Sequence, residues 1–109
     1  MKIKWINDVH FKNKKVSGCL CECSSQGKLN FIHVGIGVNL NSSPIPCLST
    51  CLSQILGGKT VDVDHFVERL SHYIVRGFSE AGKSGLTGPV KEKVERRLEY
   101  LNEEVVILD

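Results

Sequence analysis

The sequence predicts an α+β fold, an antiparallel or mixed sheet packed on helices, and three observations carry that expectation. Residues 1–40 hold extended runs rich in β-forming or alternating residues, parted by short polar turns. The residues that follow place apolar side chains at i, i+3, i+4 and i+7, the spacing of amphipathic helices. A length of 109 residues suffices for about one domain and excludes two complete ones.

The elements follow in order. Residues 2–6 (K-I-K-W-I) alternate Lys with apolar side chains, as a half-buried strand does, and residues 9–11 resume the strand after Asn7 and Asp8. The K-N-K at 12–14 is a turn. Residues 16–23 form a second extended run, S-S-Q-G at 24–27 is turn chemistry, and residues 28–40 form a third run with Phe, Ile and Val. Sequential strands with short connections imply an antiparallel meander. Within it Cys19, Cys21 and Cys23 share one face and Gly18, Leu20 and Glu22 the other, and the cysteine face is expected against the helices near 47–56 and 62–81. Residues 41–46, with two Ser and two Pro, make a loop. A short helix is expected over 47–56, where Leu48, Leu52, Ile55 and Leu56 share a face and Gly57 stops it. The stronger helix spans about 62–81 on Val63, Phe66, Val67, Leu70, Tyr73, Ile74 and Phe78. Asp62 is its N-cap, and Val61 is placed to staple onto Phe66. Pro89 opens a third helix with a stripe of Val90, Val94, Leu98 and Leu101, and residues 105–108 read as a final strand.

Composition narrows the function classes. Hydrophobic residues make up 41% and charged residues 24%, as in an ordinary globular domain. Fourteen Lys and Arg against twelve Asp and Glu leave +2, which argues for neither a nucleic-acid nor a membrane surface. No apolar run approaches the ~20 residues of a transmembrane helix, and Lys2, Lys4, Asp8 and Lys12 break any signal-peptide core. A cytoplasmic location is expected. The five cysteines form neither a C-x2-C knuckle nor an even disulfide set, and read as buried free thiols.

Candidate chemistry sits at strand ends and on one sheet face. Asn7 and Asp8 pair an amide with a carboxylate at the end of the first strand, suited to hydrogen-bonding a nucleotide and holding Mg2+. Gly18 gives close backbone approach and Leu20 an apolar wall. Gly35, Gly37 and Asn39 make a slot ending in an amide that can read an adenine edge. The G-x-G lacks the third glycine of the dinucleotide fingerprint and lies within a strand.

Together, K-W-I-N-D at 4–8, K-V-S-G-C-L at 15–20 and V-G-I-G-V-N-L-N at 34–41 resemble the K-W-P-N-D, K-x-x-G-I-L and G-x-G-x-N segments of biotin protein ligases, also called holocarboxylase synthetases. The C-L-S-T-C-L at 47–52 is similar to that family's T-S-L region. The chain departs from the pattern at Ile6, where the family has proline, and the family's glycine- and arginine-rich adenylate loop lies upstream of K-W-P-N-D. The resemblance therefore implies the C-terminal half of the catalytic domain over residues 1–102, with residues 103–109 starting a small SH3-like domain. It implies ATP-dependent formation of biotinyl-5'-adenylate, with Mg2+, and transfer of biotin to a lysine of a carboxylase's biotin carrier domain. On that resemblance Lys15 and Asp8 are catalytic; Lys15, Gly18, Leu20, Gly35 and Val38 line the biotin site; Asn7, Asp8, Lys15 and Asn39 bind the adenylate; and Asp8 stands near Mg2+. The four histidines match no catalytic position. Without the upstream loop the 109-residue chain alone is expected to be inactive, and to self-associate or pair with the N-terminal half. The alternatives are a non-catalytic fragment or pseudoenzyme that acts by binding, and a lipoate protein ligase relative.

Overall fold

The computed structural model describes residues 1–42, 46–85 and 87–107. Four strands run β1 (Lys2–Lys4), β2 (Asp8–Phe11), β3 (Lys14–Gln26) and β4 (Leu29–Val38), and pair antiparallel in the sheet order β1-β2-β3-β4. An antiparallel meander is present as expected, but with four strands instead of three: the chain turns back at residues 5–7, so 2–4 and 8–11 pair with each other instead of forming one resumed strand. In two of its tight turns the chain takes positive φ, at Lys12 and Asn13 between β2 and β3 and at Gly27 between β3 and β4, and Asn13 and Gly27 are of the types that tolerate it. The Trp5–Ile6 peptide bond is cis.

The register divides the sheet into two faces. Gly18 lies opposite Gly37 and Leu20 opposite Gly35, while Cys19 lies opposite Ile36 and Cys21 opposite Val34. Directly opposed residues project to the same side, so the cysteines share the face of Val34 and Ile36. On that side Val34 and Ile36 meet Ile74, Gly77, Phe78, Ala81 and Val90 across an open apolar cleft of about 300 Å³. The cysteine face is the one that residues 74–81 border, as expected for the long helix, whereas residues 47–56 do not line this cleft. Burial is not as expected: the distal half of the β3–β4 hairpin extends beyond the helices. Cys21, Cys23 and Cys47 are exposed, Cys19 is half-buried and Cys51 alone is buried, all as free thiols.

The second and third helices begin where the sequence places them, but the first begins five residues late. Of residues 47–56 only α1 (Leu52–Ile55) is helical, because the preceding residues pair with the sheet. The long α2 (Val63–Ser84) is capped by Asp62, whose carboxylate accepts the His65 N–H at 2.8 Å. It runs past Ala81 and stops at Gly85, whose φ of 67° suits the end of a helix. Asn41 ties its approach: the side-chain amide donates to the Val61 carbonyl and accepts the Val61 N–H, each at 2.8 Å. The α3 helix (Pro89–Glu95) opens on Pro89 but is shorter than the apolar stripe suggested. Leu98 leaves the helix to bridge Ile3 in parallel. Ile3 donates to the Arg97 carbonyl at 2.7 Å and accepts the Glu99 N–H at 2.8 Å. The open edge of β1 needs hydrogen-bond partners, and residues 97–99 supply them. Residues 105–107 form no strand and are exposed, which corrects the expected final strand; Leu108 lies outside the described residues.

The most tightly buried residues cluster where β2 and β3 meet the segment before α1. Val16 and Cys51 are buried, with Thr50 and His10 beside them in burial class. His10 Nδ1 lies 3.4 Å from Glu99 Oε2, and both groups are buried. No helix among the described residues is long and apolar enough to cross a membrane.

Candidate functional site

A break in the alternation of β3 builds the site. Asp8 pairs with Gly18 and Val9 with Ser17, but His10 then pairs with Lys15, so Val16 is an extra residue. Strict alternation would put Lys15 on the cysteine face. The bulge returns it to the face of Gly18 and Asp8. There the Lys15 ammonium stands 3.0 Å from Asp8 Oδ1, with the Lys15 side chain 47% and the Asp8 side chain 30% exposed. So open a pair contributes only about 0–1 kcal/mol to folding. Its charges remain available to a ligand.

Gly18 lets this pair lie close over the strand. A Cβ at that position would stand 3.1 Å from Lys15 Nζ, 3.2 Å from Lys15 Cε and 3.4 Å from Asp8 Oδ1. Beside it, Leu20 and its partner Gly35 join Glu22 and His33 around an open cleft of about 520 Å³, and Leu20 is 62% exposed. A large exposed leucine opposite a side-chain-free position gives an apolar floor with room above it. One end of this face thus offers the apolar Leu20 side chain, with Glu22 and His33 beyond it, and the other carries an ammonium next to a carboxylate.

The other predicted site residues lie around this arrangement. Asn7 is in the β1–β2 turn, its carbonyl accepting the Cys19 N–H at 2.9 Å. Asn39 follows β4, and its side-chain amide donates to the Thr50 carbonyl at 3.2 Å. Val38, opposite Ser17, shares the face of Val34 and Ile36, so the sheet lies between it and the Leu20–Gly35 pair. The thiols stand apart from the site. Partial burial, and then the Cys21 thiol whose sulfur is 4.0 Å away, raises Cys19 above the ordinary thiol range. The Ser53 hydroxyl and then the Gln54 backbone lower Cys51, which is buried from reagents.

One element escaped the sequence reading. Residues 48–50 run alongside Lys15 as a strap: the Lys15 N–H donates to the Leu48 carbonyl at 3.1 Å, and the Thr50 N–H donates to the Lys15 carbonyl at 2.9 Å. The apolar pattern of residues 47–56 signalled a helix, and nothing in it signals a bridge to the sheet. Among the described residues no group of three or more His, Cys, Asp or Glu side chains is placed to hold a metal ion. A divalent cation here would have Asp8 as its carboxylate and would depend on ligand oxygens for the remainder.

Comparison with known proteins gives concordant results. Residues 1–39 match the Biotin/lipoate A/B protein ligase family. Over 113 aligned residues the chain is 30% identical to the biotin–[acetyl-CoA-carboxylase] ligase of Paracoccus denitrificans, covering 97% of this chain and 47% of that protein. It is 40% identical over 59 residues to the chloroplastic biotin–protein ligase 1 of Arabidopsis thaliana, covering 53% of this chain and 15% of that one. The apo biotin protein ligase of Aquifex aeolicus has a similar structure, with 34% identity and a TM-score of 0.73 over 92% of this chain and 45% of its own. The same ligase in complex with biotin and ATP gives a TM-score of 0.76 over 92% of this chain and 42% of its own. The chain thus spans less than half the length of each of these relatives.

Proposed function

Since the chain resembles biotin protein ligases in both sequence and fold, we propose that it is the C-terminal part of such a ligase's catalytic unit and presents one wall of the biotinyl-adenylate site. The observation that carries this reading is the cluster of Lys15, Asp8 and Gly18 at the head of the open Leu20–Gly35 cleft. The domain limits proposed are residues 1–102 for the catalytic part and 103–109 for the start of an SH3-like domain.

The chemistry proposed joins biotin to ATP. A biotin carboxylate oxygen attacks the α-phosphorus, the bond from that phosphorus to the bridging oxygen breaks, and pyrophosphate leaves. Two anions must approach, and an ammonium between them offsets their repulsion most strongly where charge concentrates in the transition state. Lys15 takes this role. Its ordinary partner Asp8 holds it over Gly18, and the bare glycine lets the carboxylate and phosphate come close to the ammonium. Leu20 and Gly35 receive the apolar part of biotin, with Val38 supporting the strand from the other face. Asn7 and Asn39 serve the adenylate, the Asn39 amide oxygen accepting from the exocyclic amine of adenine. Mg2+ would arrive on the nucleotide's phosphates with Asp8 as its protein carboxylate. In the second step the amine of a carrier lysine attacks the acyl carbon and AMP leaves; a carboxylase's biotin carrier domain is the proposed acceptor.

The family match includes lipoate ligases, but the relatives and solved structures described above are biotin ligases, which favours biotin. The test is biotin-dependent exchange of labelled pyrophosphate into ATP by the ligase that carries this chain, with lipoate as the competing substrate. Exchange with biotin and not lipoate is expected; exchange with lipoate alone, or none with either, contradicts the reading.

A further inference from the structure

The reading of Lys15 as the ammonium of adenylate formation leaves open what holds its backbone at the bulge. We infer that Asn39 is a positioning residue for Lys15, acting through the strap of residues 48–50; this rests on the function proposed above. Lys15 stands next to the extra residue Val16: on one side it faces His10 of β2, and on the other β4 has ended at Val38, so its backbone groups depend on whatever else lies on that side. For Lys15 that is the strap, on both sides of the residue: its N–H to Leu48 and its carbonyl from Thr50.

The strap in turn is held by Asn39. The Asn39 side-chain amide donates to the Thr50 carbonyl at 3.2 Å, its own N–H donates to the carbonyl of Val16 at 2.9 Å, and its carbonyl accepts the Leu52 N–H at 2.9 Å. Asn39 therefore bonds the bulge, the strap and the start of α1 at once. Thr50 and Val16, which it joins, are buried, as is Cys51 next to Thr50. Burial makes an unpartnered Thr50 carbonyl costly, so loss of the amide is relieved by the strap moving away. Such a movement takes both backbone partners from Lys15, and the ammonium loses its place between Asp8 and the substrate. Misplacement of a reacting group by about 1 Å can cost ~100-fold in rate.

Asn39→Asp separates this role from adenine recognition. The carboxylate keeps an oxygen to accept from adenine but has no hydrogen to donate to Thr50. In the ligase that carries this chain, Asn39→Asp is expected to lower the turnover number of adenylate formation ~10- to 100-fold, with preference for ATP over GTP retained. Combined with Lys15→Ala it should add much less than its single effect, since it acts through a side chain already absent. Full multiplication of the two effects, or lost ATP preference with turnover unchanged, would overturn the inference.

A second readout is independent of activity. Hydrogen exchange at the Lys15 and Thr50 amides should rise at least ~10-fold in Asn39→Asp and in Asn39→Ala, while amides in the middle of α2 stay protected as in the parent. Unchanged exchange at both sites would refute the positioning role even if catalysis fell. If the parent shows no biotin-dependent exchange of pyrophosphate, the proposed function fails while this measurement still decides the strap.

Discussion

A single register shift decides the chemistry at the scale of residues. Period two along β3 would set Lys15 with the cysteines, and only the bulge opposite His10 brings its ammonium to Asp8 above Gly18. The residue types were legible in the sequence as a motif, whereas their meeting was not, because alternation carries no mark of an inserted residue. Asn39 shows the same limit: its spacing from Gly35 and Gly37 was legible, its bond to Thr50 was not, since that contact depends on how the residues before α1 return to the sheet. On the function proposed, Lys15→Ala in the full-length ligase that carries this chain should lower adenylate formation ~100- to 1000-fold, the usual effect of removing about 3 to 4 kcal/mol of charge stabilisation at a developing anion. Thermal unfolding should hardly change, because so exposed an ion pair adds little to stability. Equal rates for mutant and parent would remove Lys15 from the mechanism.

At the scale of elements, local pattern succeeded where one force dominated. The β3–β4 hairpin declared itself by β-rich runs around a glycine turn, and α2 by its 3.6-residue stripe and its N-cap. Asp62→Ala removes an acceptor that the His65 N–H now uses, and should lower stability by about 1 kcal/mol, read as a shift of the urea midpoint with unchanged slope. An unshifted midpoint would mean that the cap is idle. The pattern failed where tertiary demands competed. Val90, Val94, Leu98 and Leu101 form a helical stripe on paper, yet the unpaired backbone of β1 draws residues 97–99 out of the helix. Residues 48–50 yield to β3 in the same way.

At the scale of the whole molecule, the sheet has one closed edge and one open one. Residues 97–99 cover β1, whereas the ten residues of β4 have no strand beyond them among the described residues, and Phe31, Ile32, Val34 and Ile36 are exposed there. A long apolar edge tends to recruit another strand. Sedimentation equilibrium of the 109-residue chain should therefore show concentration-dependent association, weakened by Ile32→Lys; a monomer at every concentration, for parent and variant alike, would show that the edge is inert. The two faces of the same sheet also separate the site from the helices. A chemical-shift titration of the isotope-labelled chain with a nonhydrolysable biotinyl-adenylate analogue follows both faces together. Saturable shifts are expected at Asp8, Lys15, Gly18, Leu20 and Gly35, with weak affinity, while Cys19, Cys21 and Ile36 on the opposite face stay still. Shifts confined to the cysteine face, or no saturable shift at Lys15 and Gly18, would contradict the placement of the biotinyl-adenylate site on the Lys15–Gly18 face.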